Sequence, residues 1–386
     1  MKDPLKTYRK RFRVWNNDRR LHHECRSYDH VFASRHLILP NDKAIRQVIE
    51  KKFPLLKPGK KGALNIMAIY HHYNWENTAL KPALEKFGRV RQYDWFDPFN
   101  SQGREWQSSL KPAMNRHLIE SVERWVQEGP ADVIFAYLSG EQVTPQTLRE
   151  LQEFGIPMIN LALNDKEYFV GKIREGQAMG SRDICRWFTL CWTSTEDALK
   201  KYRVEGALPV YLPEAANPDI HKPCNIEKSM DVSFIGQCYG NRAEIIDRLL
   251  TCGIGVEPYG YGWPRGPLTI EEMVRLYSRS RINLGFGGVI GHTDTYCLKG
   301  RDFEIPMSGG LYLTEYHPEL ERVYKIGEEI VAYTGFDDLL EKIRSLLSHP
   351  DRAAEIRQKG FERACREHTW EMRFEKIFSL IGLICN

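Results

Sequence analysis

From Ala63 onward the chain alternates short apolar runs with helix-length amphipathic stretches, and it does so in two successive series. Few folds admit that alternation. A strand covered on both faces reads as a continuous apolar run, and it needs a crossover helix to reach a parallel neighbour. Residues 64–70 (LNIMAIY) are the first such run, followed by a helical pattern over 77–87. A strand at 90–93, a helix around 112–127, a strand at 132–137, a helix over 145–154 and a strand at 157–161 come next. Residues 190–193, 195–202 and 210–212 complete another strand–helix–strand unit. The stretch 213–218 (PEAANP), with Pro223 just after it, breaks the periodicity and reads as a linker. A second series opens with a strand at 231–235. Asn241 with Glu244, and Thr269 with Glu272, have the spacing of capping boxes at helix starts. An apolar strand follows at 282–286. The pattern predicts an α/β protein of two Rossmann-like, doubly wound domains, spanning 61–215 and 216–370. The two domains face each other across a cleft, and ligands sit at the carboxyl ends of the strands.

The net charge of +4 hides an asymmetry: residues 1–60 hold 16 Lys/Arg against 6 Asp/Glu, and the rest of the chain 39 against 45. A basic N-terminal extension over 1–60 is therefore appended to an acidic body. Cations and aromatics interleave through Lys6, Tyr8, Arg9, Lys10, Arg11, Phe12, Arg13 and Trp15. Residues 6–20 fit an anionic membrane surface or a phosphate-rich polymer. Aromatics this frequent more often pack a helix onto the body, and that packing is the expectation here. There is no specific nucleic-acid motif. No apolar run is long enough to span a bilayer, no signal-peptide core follows the basic start, and the nine cysteines form no C-x-x-C pair. These features point to a cytoplasmic protein, with residues 6–20 as its means of meeting a membrane from the side.

Residues 297–311 (CLKGRDFEIPMSGGL) gather a lysine, an arginine, two acids and a glycine pair just after the 282–286 strand. Cations at the carboxyl end of a strand suit phosphate, and a nearby carboxylate suits ribose hydroxyls. A salt-bridged helix start is the simpler alternative. Upstream, Gly236 and Gly240 bracket a tight strand-to-helix loop, with Arg242 in the first helical turn. That arrangement matches a pyrophosphate site, although Arg242 could instead pair with Glu244 or Asp247. The segment 259–263 (YGYGW) reads as a wall or base-stacking element, because Trp263-Pro264 cannot open a phosphate-binding helix. In the first domain, residues 71–76 (HHYNWE) follow the first strand, and Asp165 follows the strand at 157–161. His72 and Asp165 are the two candidates for a base, with Trp75 and Glu76 beside His72 on the acceptor side. A serine-hydrolase elbow is absent, and His71 and His72 lack a ligand set for zinc.

The run 299–304 (KGRDFE), followed by Ser308-Gly309-Gly310 and residues 313–316 (LTEY), resembles the signature of spore-maturation CgeB-type glycosyltransferases. Residues 328–331 (EEIV), His349-Pro350 and 366–370 (REHTW) continue the match, as do 232–236 (VSFIG) and 259–263 upstream. The resemblance covers residues 230–375 well and the first half of the chain poorly. It implies a GT-B fold, with residues 371–386 crossing back to the first domain. It also implies a metal-independent hexosyl- or related transferase that needs no cofactor and takes a sugar from a nucleoside-diphosphate donor. The donor site so implied comprises Gly236, Tyr239, Arg242, Tyr261, Trp263, His292, Lys299, Arg301, Glu304 and Gly309. Within it, Arg301 and Lys299 neutralise the leaving diphosphate and Glu304 holds the ribose. Glu304 to Gly309 matches the second half of the family's glutamate-x-seven-glutamate motif, but the first glutamate's place is taken by Tyr296. The glycine-rich loop 285–295 reads equally as a wrap for the donor sugar, with His292 or Asp294 reaching its hydroxyls, and as a mobile crossover. The acceptor is left open among a glycan, a lipid-linked glycan, a small molecule and a protein. Two rival readings use the same fold: a nucleotide-sugar epimerase, and a non-catalytic surface or spore-coat assembly protein.

Overall fold

The structure, a computed structural model, describes residues 4–385. The chain forms two compact units, one of residues 22–213 with 371–386 and the other of residues 1–21 with 214–370. The basic extension read as one segment is thus divided between them.

In the 22–213 unit, strands β1 (Leu64–Ile69), β2 (Gly88–Tyr93), β3 (Val133–Ala136) and β4 (Met158–Ala162) form most of one sheet. A hairpin of β5 (Ile173–Arg174) and β6 (Gln177–Ala178), not foreseen from the sequence, precedes β7 (Leu190–Thr193) and β8 (Pro209–Tyr211). The six-stranded sheet runs β2-β1-β3-β4-β7-β8 with every pairing parallel. Its order reverses between β1 and β3, which makes their carboxyl ends the switch point where such sheets bind ligands. The helix Lys111–Glu128 buries Met114, Leu118 and Val122, four residues apart along one face, against Met67, Ile69 and Ile134 of the sheet. The expected helix over 77–87 begins as a π-turn at Glu76–Leu80 before Lys81–Glu85. The terminal helix Trp370–Leu380 brings Phe374 edge-on to Phe135 and Trp192, at ring separations of 5.3 and 5.7 Å. Gly59 N–H donates to the Leu383 carbonyl at 2.7 Å, so the chain's end is fastened to the segment leading into β1.

In the other unit, β9 (Met230–Ile235), β10 (Val256–Tyr259), β11 (Ser280–Leu284), β12 (Tyr312–Glu315) and β13 (Val331–Tyr333) form a parallel sheet in the order β10-β9-β11-β12-β13. Its switch point lies between β9 and β11. Thr269 closes the expected capping box with Glu272 at the start of Ile270–Arg279. Asn241 does not: its backbone is already near-helical (φ −101°, ψ 5°) and its side chain makes no cap bond to Arg242–Thr251. β10, not among the strands expected from the sequence, holds Pro258 and sits at the sheet's edge, where a missing N–H is tolerated.

In the helix Pro4–Ser34, Phe12 and Trp15 depart from the expectation that the aromatics of residues 6–15 pack. Phe12 and Trp15 are 56% and 54% exposed and lean on each other at 5.7 Å, with Arg19 over the Trp15 ring. Val14, Asn17, Asp18 and Leu21 share the opposite, helix-periodic face, and that face is the more buried one. Residues 1–3 and the side chains of Lys6, Tyr8 and Lys10 lie outside what the structure describes.

Candidate active site

The candidate donor residues converge at the β9/β11 switch point. A parallel sheet buried on both faces offers open backbone only beyond its strand ends, and there Gly236 follows β9 and Phe286 follows β11. A Cβ on Gly236 would meet the Phe234 ring at 2.8 Å and the Arg301 Nη1 at 3.1 Å, so glycine is what lets this loop pass the guanidinium. Arg301 donates through Nη2 to the Phe286 carbonyl at 2.8 Å, and its Nε has no hydrogen-bond partner among the described residues. Arg242, 3% exposed, donates to the Gln237 carbonyl at 2.9 Å and to the Tyr239 hydroxyl at 2.6 Å, lying 3.7 Å above the Tyr239 ring. It pairs with neither Glu244 nor Asp247 in any described contact. The Tyr239 hydroxyl donates in turn to the Gly288 carbonyl at 3.0 Å. The Lys299 ammonium donates to the Gly287 carbonyl at 3.1 Å and lies 3.2 Å from the Cys297 sulfur. Three cations are thus gathered on carbonyls, a hydroxyl and a thiol. Burial, and then repulsion from Arg301, pull Arg242 down to about 10. An anion placed between the two guanidiniums would relieve that repulsion.

Acids stand behind the cations. Asp302 is structural: one oxygen accepts from Lys299 N–H at 2.6 Å and the other from the Tyr312 hydroxyl, which sets the start of the helix Gly300–Met307. Glu304 and Glu214 converge on Gly300, whose Cβ would lie 3.0 Å from Glu304 Oε1 and 3.4 Å from Glu214 Oε2. Burial, with Asp302 adding to it against Arg301, raises Glu304 to about 7. Burial and then Glu304 raise Glu214 to about 8. His221 is buried and held neutral, pushed down to about 4 by desolvation. Its Nδ1 accepts from Asn217 N–H at 3.1 Å, so Nε2 carries the proton, without a hydrogen-bond partner among the described residues, 3.9 Å from Glu304 Oε1. Glu214 and His221 were not foreseen, because they come from the linker and carry no motif.

The remaining expected donor residues differ in their surroundings. Trp263 donates from its indole to the Gly236 carbonyl at 2.8 Å and packs edge-on to Phe234, a wall behind the loop. Tyr261 is 67% exposed. Gly309 turns the chain at the end of the Gly300–Met307 helix with φ +69°, and a Cβ there would meet Pro223 at 2.9 Å. His292 is bound to the N-terminal helix: its Nδ1 lies 2.8 Å from Asp18 Oδ1, while Thr293 N–H donates to the same carboxylate and Asn17 Nδ2 to the Gly291 carbonyl. Nothing in the sequence pointed to Asp18.

In the 22–213 unit, the loops after β1, β3 and β4 enclose a cavity of about 420 Å³ lined by Trp75, Glu76 and Asp165 among others. Glu76 is occupied in holding that loop together. Its Oε2 accepts from the N–H groups of Tyr73, Asn74 and Trp75 at 2.9, 3.1 and 3.2 Å. His72 is not among the cavity's lining residues; its Nδ1 accepts from Asn77 N–H at 3.3 Å and its N–H donates to Asp94. Asp94 also holds His71 Nδ1 at 2.8 Å, with the imidazole stacked on Phe96. Asp165, 2% exposed, accepts from the Tyr202 hydroxyl at 2.8 Å through Oδ2, and its Oδ1 has no hydrogen-bond partner among the described residues. Burial lifts its carboxyl to about 7, against the pull of Thr193, Tyr202 and Lys201. No group of three or more His, Cys, Asp or Glu placed to hold a metal occurs among the described residues, no helix there is long and apolar enough to cross a membrane, and no disulfide forms.

Sucrose-phosphate synthase (tll1590) from Thermosynechococcus elongatus superposes with a TM-score of 0.58 at 11% identity, covering 82% of this chain and 98% of that one. Anabaena Alr3699/HepE, in complex with UDP and glucose, gives 0.54 at 11% identity over 82% and 100%. The fold is GT-B. Residues 242–379 of this GT-B chain match the family model described as glycosyl transferase-like. A putative UDP-N-acetylglucosamine 2-epimerase from Listeria monocytogenes shares the fold as well, with a TM-score of 0.50 at 11% identity over 82% and 96%. No curated protein matches the chain in sequence.

Proposed function

We propose that the protein is a metal-independent, CgeB-type glycosyltransferase. Its donor, a nucleoside-diphosphate sugar, is bound by the 214–370 unit, and its acceptor hydroxyl is presented by the 22–213 unit. The observation that carries the reading is the set of Arg242, Lys299 and Arg301 at the β9/β11 switch point, whose described hydrogen bonds go to carbonyls, a hydroxyl and a thiol rather than to carboxylates. Two of those cations are close enough to repel each other. Buried like charges are costly, and a diphosphate adds negative charge to that of the acids standing behind them. The same cations stabilise the charge that grows on the leaving diphosphate, the place where a transferase gains most from fixed charge. Glu304, when ionised, accepts from the ribose hydroxyls, and Tyr261 and Trp263 border the base. For an inverting reaction Asp165 is the stronger candidate base, since its carboxyl sits near neutrality and lines a cavity, while His72 stands outside it. The exposed Phe12 and Trp15 among Arg9, Arg11 and Arg13 support contact with an anionic membrane surface.

The test is titration calorimetry of UDP, GDP, dTDP and ADP in the presence of EDTA, followed by turnover assays of the corresponding sugar donor. Binding of one diphosphate without metal, abolished turnover in Arg301→Ala and weakened binding in Glu304→Ala are expected. No binding by any diphosphate refutes the reading. Donor consumed to an epimerised sugar with no acceptor present would move the assignment to the epimerase sharing this fold.

A further inference from the structure

The cavity of about 420 Å³ at the β1/β3 switch point has a lining whose chemistry selects among acceptor classes. Tyr73, Trp75, Tyr137 and Tyr168 supply four aromatic rings. Between them lie Ser139, Gln142, Asn164 and Ser181, all uncharged hydrogen-bonding groups. The lining includes no lysine or arginine, and its two acids differ in state. Glu76 is taken up by three backbone N–H groups. Asp165 has Oδ1 without a hydrogen-bond partner among the described residues, in a side chain almost wholly removed from water. A buried carboxylate oxygen is costly unless something donates to it. Gln142 accepts from the Ser139 N–H and hydroxyl through Oε1, at 2.9 and 2.8 Å, so its Nε2 is assigned as a donor.

A lone carboxylate oxygen, an amide donor and aromatic walls suit a ring with apolar C–H faces and neutral hydroxyls at its edge. A phosphorylated or carboxylated acceptor would meet acids with no cation to answer them, and an alkyl chain would strand the polar lining.

We propose that this cavity holds an uncharged sugar, with the Asp165 carboxyl accepting from one of its hydroxyls and Gln142 Nε2 donating to another. That the bound sugar is the transferase acceptor rests on the function proposed above; the binding itself does not. The experiment uses the full chain and ligand-observed NMR with glucose, galactose, N-acetylglucosamine and their methyl glycosides. Glucose 6-phosphate and a short alkanol serve as competitors of the other classes, and UDP titration is run on the same preparations. At least one neutral sugar is expected to bind in the millimolar range. Asp165→Asn and Gln142→Ala are each expected to weaken it, the former about tenfold or more, with UDP affinity unchanged. Gln142, being only partly buried, keeps the test valid if Asp165→Asn misfolds. The proposal is overturned by equal or tighter binding of the phosphate or the alkanol, by no sugar binding, or by sugar binding indifferent to the substitutions. Sugar binding without UDP binding would sink the transferase reading and leave this one standing.

Discussion

Replacing Arg301 with methionine tests whether the donor cations serve a ligand or the fold. The depression of Arg242 from 12.5 to about 10, at about 1.4 kcal/mol per tenfold, corresponds to about 3 kcal/mol of unfavourable surroundings for its charge. Burial is the larger cause, and repulsion from Arg301 comes second. Arg301→Met removes that repulsion and keeps the apolar stem, while it forfeits the bond to the Phe286 carbonyl, about 1 kcal/mol. The loss of that bond and of the attraction to Asp302 opposes the relief of Arg242, so the melting temperature of the free protein should move by no more than about 4 °C. The nucleotide loses a charge-assisted hydrogen bond of about 1.5–3 kcal/mol, or roughly 10- to 150-fold in Kd. Differential scanning calorimetry and UDP titration on one preparation read both quantities. A collapse in melting temperature with unchanged Kd in the protein that remains folded would refute the reasoning and make Arg301 a structural residue.

Glu214 and Glu304, raised to about 8 and about 7 from an ordinary 4.5, bind more protons folded than unfolded, so their contribution to stability is intact below about 4.5 and is lost as pH rises through about 7 to 8. Urea midpoints at pH 5 and 8.5 should therefore show Glu214→Gln gaining on the wild type at the higher pH; a pH-independent difference would contradict the shared burial of the two acids. Asp18→Ala should release His292 and Thr293 and speed amide exchange in the loop 288–293, with little change in urea midpoint; unchanged exchange would show that the loop holds itself. Phe374→Ala should cost about 3–5 kcal/mol in urea unfolding, because the ring is buried against Phe135 and Trp192, and a loss below about 1 kcal/mol would mean the terminal helix is not part of that core.

By itself the sequence determined the first sheet's strands, two strands of the second, and where their open ends fall. The runs at 64–70, 132–137 and 157–161 are apolar without alternation, and only strands covered on both faces need that, so β1, β3 and β4 were legible locally. The Thr269–Glu272 box was legible for the same reason, since its partners are three residues apart. So were Arg242, Lys299 and Arg301 as cations beyond strand ends. Tertiary structure decided what each charged group does. Glu76 and Gly309 looked like ligand contacts in the string, yet one closes a loop on its own backbone and the other turns a helix end against Pro223. Asp302 and Glu304 are equal acids two positions apart, yet one is bound to Tyr312 and the other is set against Glu214 and His221. Asp165 was legible as a base candidate, but only its burial brought its carboxyl near neutrality, and His292 found its partner 274 residues away in Asp18. Periodicity records which side of a strand or helix is dry, because that repeats every two or 3.6 residues. Which donor meets which carboxylate depends on where distant segments are brought by the packed sheets, and no local spacing carries that information.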